Sequence, residues 1–216
     1  MIKRNIRVLI IEDCSIIANA YKYILDSIAN TKFNICFALN CDEAIQHLKR
    51  KNNQLVLLDL RLPVSKDERY LSGDDLGLLI RQAYKRTKIV VLTSISNRLR
   101  IMNIINTIDP EGFILKSDID SKQLKSAIEV VLQGKTFYSK TIKKYIEKTD
   151  LKGLVIDDLD RQILYHLSMG EKTKDLSKHI PLSTRAIEVR KSKLKMVLLT
   201  KGDSNLIKEA KKLGIV

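Results

Sequence analysis

"LVLLDLRLP", residues 55–63, runs four apolar residues into an aspartate and stops at a proline. The apolar run reads as a buried strand, and it delivers Asp59 to the strand's carboxyl end with Arg61 two places on. Taken alone, such an aspartate is a solvated strand end. Its meaning depends on what else reaches the same edge.

The flanking sequence repeats the pattern. Strands are predicted at "RVLIIED" (7–13), "FNICFAL" (33–39), "LVLLD" (55–59), "KIVVLTS" (88–94) and "GFILK" (112–116). Helix-period segments fall between them at about 15–29, 42–51, 73–86 and 97–108. A fifth follows at 121–133, with Gly134 as its stop. Five strand–helix units in strict alternation predict an α/β domain over residues 1–134, built on a five-stranded, doubly wound parallel sheet.

"KTFYSKTIKKYIEKTDLKG" (135–153) breaks the rhythm, and residues 135–154 read as a partly helical linker. No strand pattern appears over 155–216, which reads as an all-α domain of four helices. "DDLDRQILYHLSMG" places Leu159, Ile163 and Leu167 at four-residue spacing and ends at Gly170. A short helix opens at Thr173. "PLST" is a tight turn, and Ser183 caps the helix "STRAIEVRKSKLKMVL". Asp203 is expected to cap the last helix, "DSNLIKEAKKLG", and Gly214 to stop it.

The formal net charge is +14, unevenly spread. Residues 1–133 carry 20 Lys and Arg against 15 Asp and Glu, whereas residues 134–216 carry 19 against 10. A basic C-terminal part points to a polyanionic partner or to a merely solvated basic surface. No apolar run approaches the roughly 18 residues of a membrane span. The N-terminal stretch reaches Glu12 and Asp13 too soon for a signal peptide, so a cytoplasmic protein with no membrane partner is expected. Cys14, Cys36 and Cys41 lack metal-type spacing, and His47, His166 and His179 are far apart, so no zinc site is expected. Cys14 beside the acidic pair reads as a packing residue or a redox sensor.

In an open parallel sheet, functional groups gather beyond the carboxyl ends of the strands. Four of the five predicted strands end in polar reactive groups: Glu12 and Asp13, then Asp59, Thr93 and Lys116. Three carboxylates brought together repel one another. A hard divalent cation such as Mg²⁺ relieves that repulsion through carboxylate, carbonyl and water oxygens. One carboxylate of such a cluster can then accept a phosphoryl group, its oxygens neutralised by the metal and by Lys116.

"IIED", "LLDLRLP", "VVLTS" and "GFILKSD" resemble the motifs of response-regulator receiver domains, whose fold is flavodoxin-like. The C-terminal part resembles the LuxR/NarL-type helix-turn-helix. Together the two resemblances cover nearly the whole chain. They imply that Asp59 is the phosphorylated aspartate, and that Glu12, Asp13, Asp59 and the backbone carbonyl of Arg61 hold Mg²⁺. They also imply that the Thr93 hydroxyl swings to the phosphoryl group, that Lys116 is its ion-pair partner, and that Phe113 is a switch aromatic that rotates inward on activation. One departure is the loop "VSKDERYLSG" between Pro63 and Gly73, longer than the family's usual spacing. It reads as a tolerated surface insertion or as a device that tunes kinase recognition or phosphoryl lifetime.

By the same resemblance Glu188, Val189 and Ser192 face base edges in the major groove, while Thr184, Arg185, Lys191 and Lys195 are the candidate phosphate contacts of the helix. A basic residue is common where Glu188 stands; the glutamate either accepts from a cytosine amino group or pairs with a neighbouring arginine. Leu206, Ile207, Ala210 and Leu213 line one side of the last helix, similar to the family's dimer-forming helix. The expected function is a two-component response regulator, phosphorylated by a sensor histidine kinase and binding a double-stranded DNA operator as a homodimer. At most it slowly hydrolyses its own aspartyl phosphate. Three alternatives are a phosphorylation-independent regulator acting through a protein partner, a helical protein-binding module, and a haloacid-dehalogenase-type phosphatase. The phosphatase needs a second acid where Arg61 stands.

Overall fold

The computed structural model describes residues 4–50, 53–147 and 155–216. Its first unit, by contact density, comprises residues 1–96 and 108–149, and its second comprises 97–107 and 150–216. The part of the expected linker at 148–154 lies outside the described residues.

In the first unit β1 (Arg4–Ile11), α1 (Ser15–Asp26), β2 (Thr31–Ala38), α2 (Cys41–Arg50) and β3 (Leu55–Leu58) alternate as the sequence predicts. The α3 helix (Gly73–Ala83), β4 (Lys88–Thr93), β5 (Gly112–Leu115) and α5 (Ser121–Leu132) continue the pattern. The sheet is parallel throughout, in the order β2-β1-β3-β4-β5-β6. It has six strands where five were expected. The added strand, β6 (Phe137–Tyr138), is two residues long, too short for any periodicity to reveal. It is held by Phe137 N–H donating to the Glu111 carbonyl (2.9 Å) and Ser139 N–H to that of Phe113 (3.0 Å). Helix α6 (Lys140–Glu147) follows and buries Ile142. Residues 137–147 are therefore part of the first unit, not a free linker.

The inner strands β3, β4 and β5 bury both faces, and Val8, Ile10, Leu55, Leu57 and Val90 pack with Leu25, Ile128 and Val131 of α1 and α5. Each such side chain contributes roughly 2 kcal/mol by leaving water, enough in sum to hold the strand ends in fixed register. That register sets Ile11 opposite Leu58, Leu58 opposite Val91, and Thr93 opposite Leu115. The strand order reverses between β1 and β3, so a crevice opens at their carboxyl ends.

The second unit holds α7 (Asp158–Ser168), a 3₁₀ turn (Leu176–Lys178), α8 (Thr184–Val197) and α9 (Asp203–Lys212). The short helix expected from Thr173 is this single turn. Asp157 caps α7 in a reciprocal box with Asp160, and Ser183 caps α8 by accepting from Ala186 N–H. Asp203 is the first residue of α9, not its cap; Gly202 precedes it with positive φ. This unit also takes in all but the last residue of α4 (Arg98–Ile108), whose Asn103 amide both donates to and accepts from the Ile156 backbone (3.0 and 2.7 Å).

Leu206, Ala210 and Leu213 are buried against Ile156, Leu164, Leu194 and Leu198, while Ile207 packs on the neighbouring cluster of Ile163, Leu176 and Ile187. The stripe expected to form a dimer face is thus the unit's own core. An amphipathic period marks a face that must be covered, and here α7 and α8 cover it. No helix among the described residues is long and apolar enough to cross a membrane.

Candidate functional site

The crevice brings together Glu12, Asp13, Asp59 and Lys116. Asp59 follows β3 and Glu12 follows β1. Both are nearly buried, whereas Asp13 is exposed. Ligand oxygens of these three carboxylates lie within 4.8 Å of one another, an arrangement able to hold a metal ion. The donors are all hard oxygens, which suits Mg²⁺ or Ca²⁺ and not a soft metal.

Lys116, at the end of β5, enters from the other side. Its Nζ donates to Glu12 Oε2 and Asp59 Oδ2, each at 2.8 Å. Burial alone would lower the Lys116 pKa, but the hydrogen bonds to Asp59 and Glu12 outweigh it and raise the group above its ordinary value. Burial pushes Glu12 up, and the nearby Asp59 and Asp13 charges add to the push against the relief from Lys116. The pocket is therefore short of positive charge.

The second oxygen of Asp59 is fixed by main chain: Oδ1 accepts from Leu60 N–H (2.6 Å) and Arg61 N–H (3.2 Å). The Arg61 backbone therefore lies at the pocket while its side chain is exposed. Thr93 is fully buried at the end of β4, its hydroxyl accepting from Ile95 N–H at 3.1 Å. Lys116 N–H donates to the Thr93 carbonyl (2.8 Å), which joins the two strand ends.

Gly73 explains how the long loop is accommodated. A Cβ built there would lie 2.0 Å from the Asp59 carbonyl oxygen, so only glycine fits. The chain leaves at Pro63, closes a turn in which Ser65 and Tyr70 exchange hydrogen bonds, and returns to seat α3 on the Asp59 backbone.

Two groups near the pocket had no sequence signal. Tyr21, on the buried side of α1, is coupled electrostatically to Lys116, Glu12 and Asp59, and burial pushes its phenol up. Asp118, two residues past Lys116, accepts from Ser139 Oγ (2.6 Å), Thr141 N–H (2.9 Å) and Thr141 Oγ1 (2.8 Å), and so fastens the start of α6.

Phe113 is fully buried. The outward position from which a switch aromatic would rotate is not the one it occupies. Cys14 is half-buried and Cys41 fully so, its thiol pushed up to about 12 by burial.

On α8, the DNA-contact candidates Thr184, Arg185, Glu188, Val189 and Ser192 are exposed. Lys191 is not. Its side chain is 3% exposed, and Nζ donates to Asp203 Oδ2 (2.8 Å) and Thr173 Oγ1 (2.7 Å). Lys195 pairs with the other oxygen of Asp203 at 2.6 Å. Both lysines expected to meet phosphates hold α8 to the start of α9, and their bonds keep Asp203 below the usual carboxylate range. Arg190, unassigned from sequence, clamps Asp157 and Asp160 of α7 at 2.8 Å.

Comparisons with known proteins bear on the family and the fold. The transcriptional regulatory protein MctR of Rhizobium johnstonii is 24% identical over 214 residues, covering 98% of this chain and 96% of its own length. The oxygen regulatory protein NreC of Staphylococcus epidermidis is 20% identical over 219 residues, covering 95% and 97%. Among solved structures, RcsB from Salmonella enterica serovar Typhimurium, bound to promoter rprA with phosphomimetic BeF₃⁻, superposes with a TM-score of 0.68. That match is 20% identical and covers 96% of this chain and 99% of RcsB, so the fold is shared across both units. A family profile described as the response regulator receiver domain matches residues 8–129, more than half of the chain. The chain belongs to the response regulator receiver family.

Proposed function

We propose that the protein is a two-component transcriptional regulator switched by phosphorylation of Asp59. One observation carries this reading: a nearly buried aspartate whose two oxygens are separately held, one by main-chain N–H groups and one by Lys116, beside two further carboxylates. Glu12, Asp13, Asp59 and the Arg61 carbonyl would hold Mg²⁺, which supplies the positive charge the pocket lacks and neutralises phosphoryl oxygens.

In the reaction an Asp59 oxygen attacks the phosphorus of a phosphohistidine on a sensor kinase. The new O–P bond forms as the N–P bond to the imidazole breaks, and the histidine leaves neutral after taking up a proton. Lys116 moves from bridging two carboxylates to pairing with a phosphoryl oxygen. The Thr93 hydroxyl reaches another, giving up its acceptor bond from Ile95 N–H. Both motions alter the β4 and β5 ends and shift the balance towards a DNA-competent form. Water later hydrolyses the aspartyl phosphate slowly, the only reaction proposed for the protein alone.

The output is binding to double-stranded DNA through α8, as a homodimer. Helix α8 is capped, follows a short turn, and exposes polar groups along one face. RcsB has been solved bound to DNA, including two dimers on parallel duplexes. The dimer contact is sought away from the α9 stripe, which is buried. The site is expected to work in the cytoplasm, where kinase and operator are both reached.

The test is DNA affinity and sedimentation with and without a small-molecule phosphodonor and Mg²⁺, for the parent and Asp59→Asn. Tighter binding and dimerisation in the parent alone support the reading. Equal DNA binding in both proteins under phosphorylating conditions would refute the switch.

A further inference from the structure

The exposed stripe of α8 contains Arg185, Glu188, Val189, Ser192 and Met196, spaced three, four, seven and eleven residues from the first. Glu188 is the one anionic group on it, and its side chain is 55% exposed. The helix otherwise carries five basic residues, and four of them are already committed to acids at the starts of α7 and α9. Arg190 and Lys193 meet Asp160, and Lys191 and Lys195 meet Asp203. Among the described residues no arginine neutralises Glu188. Its contact is Lys191 Nζ, at a long 3.4 Å from Oε1, and that ammonium has shorter bonds to Asp203 and Thr173. Among the described residues, Oε2 has no partner.

A carboxylate placed in a DNA groove is repelled by the phosphates unless a base donor meets it. Two major-groove donors exist, the amino groups of cytosine and adenine. In adenine the amino group sits beside N7, an acceptor that repels the second carboxylate oxygen; cytosine has no such neighbour. We infer that Glu188 is a specificity-determining residue that reads a cytosine in each half-site, with Lys191 positioning its carboxylate. This rests on the reading of α8 as the DNA-contacting helix.

The roles of the two residues differ accordingly. Glu188 accepts from the base. Lys191, buried and fixed at its far end, limits the rotamers of Glu188 without reaching DNA. The inference also explains why the helix holds most of its basic groups inward: affinity from phosphates is drawn from elsewhere, and this face is kept for reading sequence.

The experiment is selection of binding sites from a randomised duplex pool by the full-length phosphorylated protein, comparing parent, Glu188→Ala and Glu188→Gln. The parent is expected to enrich a motif with cytosine at one position of each half-site, favoured on the order of tenfold or more over other bases. Glu188→Ala loses the preference at that position and keeps the rest of the motif. Glu188→Gln moves it to adenine, because an amide both donates to N7 and accepts from the amino group. A motif unchanged in both variants overturns the inference and leaves DNA binding intact. So does a uniform gain in affinity across all sequences, which would mark Glu188 as a simple repulsive charge. If the parent enriches no sequence, the DNA-binding reading falls and this inference with it.

Discussion

Lys116 Nζ lies 2.8 Å from Asp59 Oδ2, while Asp59 Oδ1 is held by the N–H groups of Leu60 and Arg61. The acceptor is thus fixed by main chain on one side and by a movable cation on the other. Removing that cation leaves two nearly buried carboxylates facing each other. Lys116→Met is expected to lose about 2 kcal/mol of stability, the usual cost of stranding a buried charged acceptor. Added Mg²⁺ should restore part of the loss. Urea unfolding with Mg²⁺ and with chelator checks both statements.

Gly73 faces the backbone of the same aspartate. Because a Cβ there would meet the Asp59 carbonyl at 2.0 Å, Gly73→Ala must displace α3 or the strand end. An overpacking cost of about 1–3 kcal/mol is expected, together with slower phosphorylation of Asp59. A variant with parent-like stability and phosphorylation rate would show that the long loop absorbs the shift.

In the second unit, Asp203 partners a buried ammonium. Asp203→Ala strands Lys191, so about 2 kcal/mol of destabilisation is expected. Lys191→Met removes the buried charge itself and should be much milder. Thermal unfolding of the two variants, ranked side by side, distinguishes a structural Lys191 from a phosphate contact. A phosphate contact would leave stability unchanged and weaken DNA binding.

Acid titrates Asp203. Asp203 is held low by hydrogen bonds from Lys191 and then Lys195. Its folded pKa lies below its unfolded value, so it adds stability above about pH 4 and loses it as pH falls further. Glu12 is shifted the other way, so total stability mixes the two. The clean quantity is the difference between parent and Asp203→Asn. It should stay flat from neutral pH to about pH 5 and shrink below about pH 4; growth in acid would contradict the assignment.

Much of this was legible in the residues. Short apolar runs located the five main strands and period-3.6 segments the helices between them, and the parallel-sheet rule then put Glu12, Asp13, Asp59, Thr93 and Lys116 at the strand ends. What escaped was long-range. The β6 strand is too short to carry a period, and it exists because the Glu111 and Phe113 carbonyls offer it a ladder. An apolar stripe such as Leu206, Ala210 and Leu213 says only that something covers it, and here the unit's own helices do. Lys191 looked like a surface cation because its partners, Thr173 and Asp203, lie 18 and 12 residues away.

The central claim is that Asp59 is the phosphoacceptor of a metal-dependent pocket. Intact mass of the full-length protein after incubation with a small-molecule phosphodonor tests it most directly, with Mg²⁺ or with chelator, for the parent and Asp59→Asn. The account predicts a single phosphoryl increment in the parent with Mg²⁺, and none with chelator or in the variant. An increment that persists in Asp59→Asn, or that forms equally well without the metal, would contradict it.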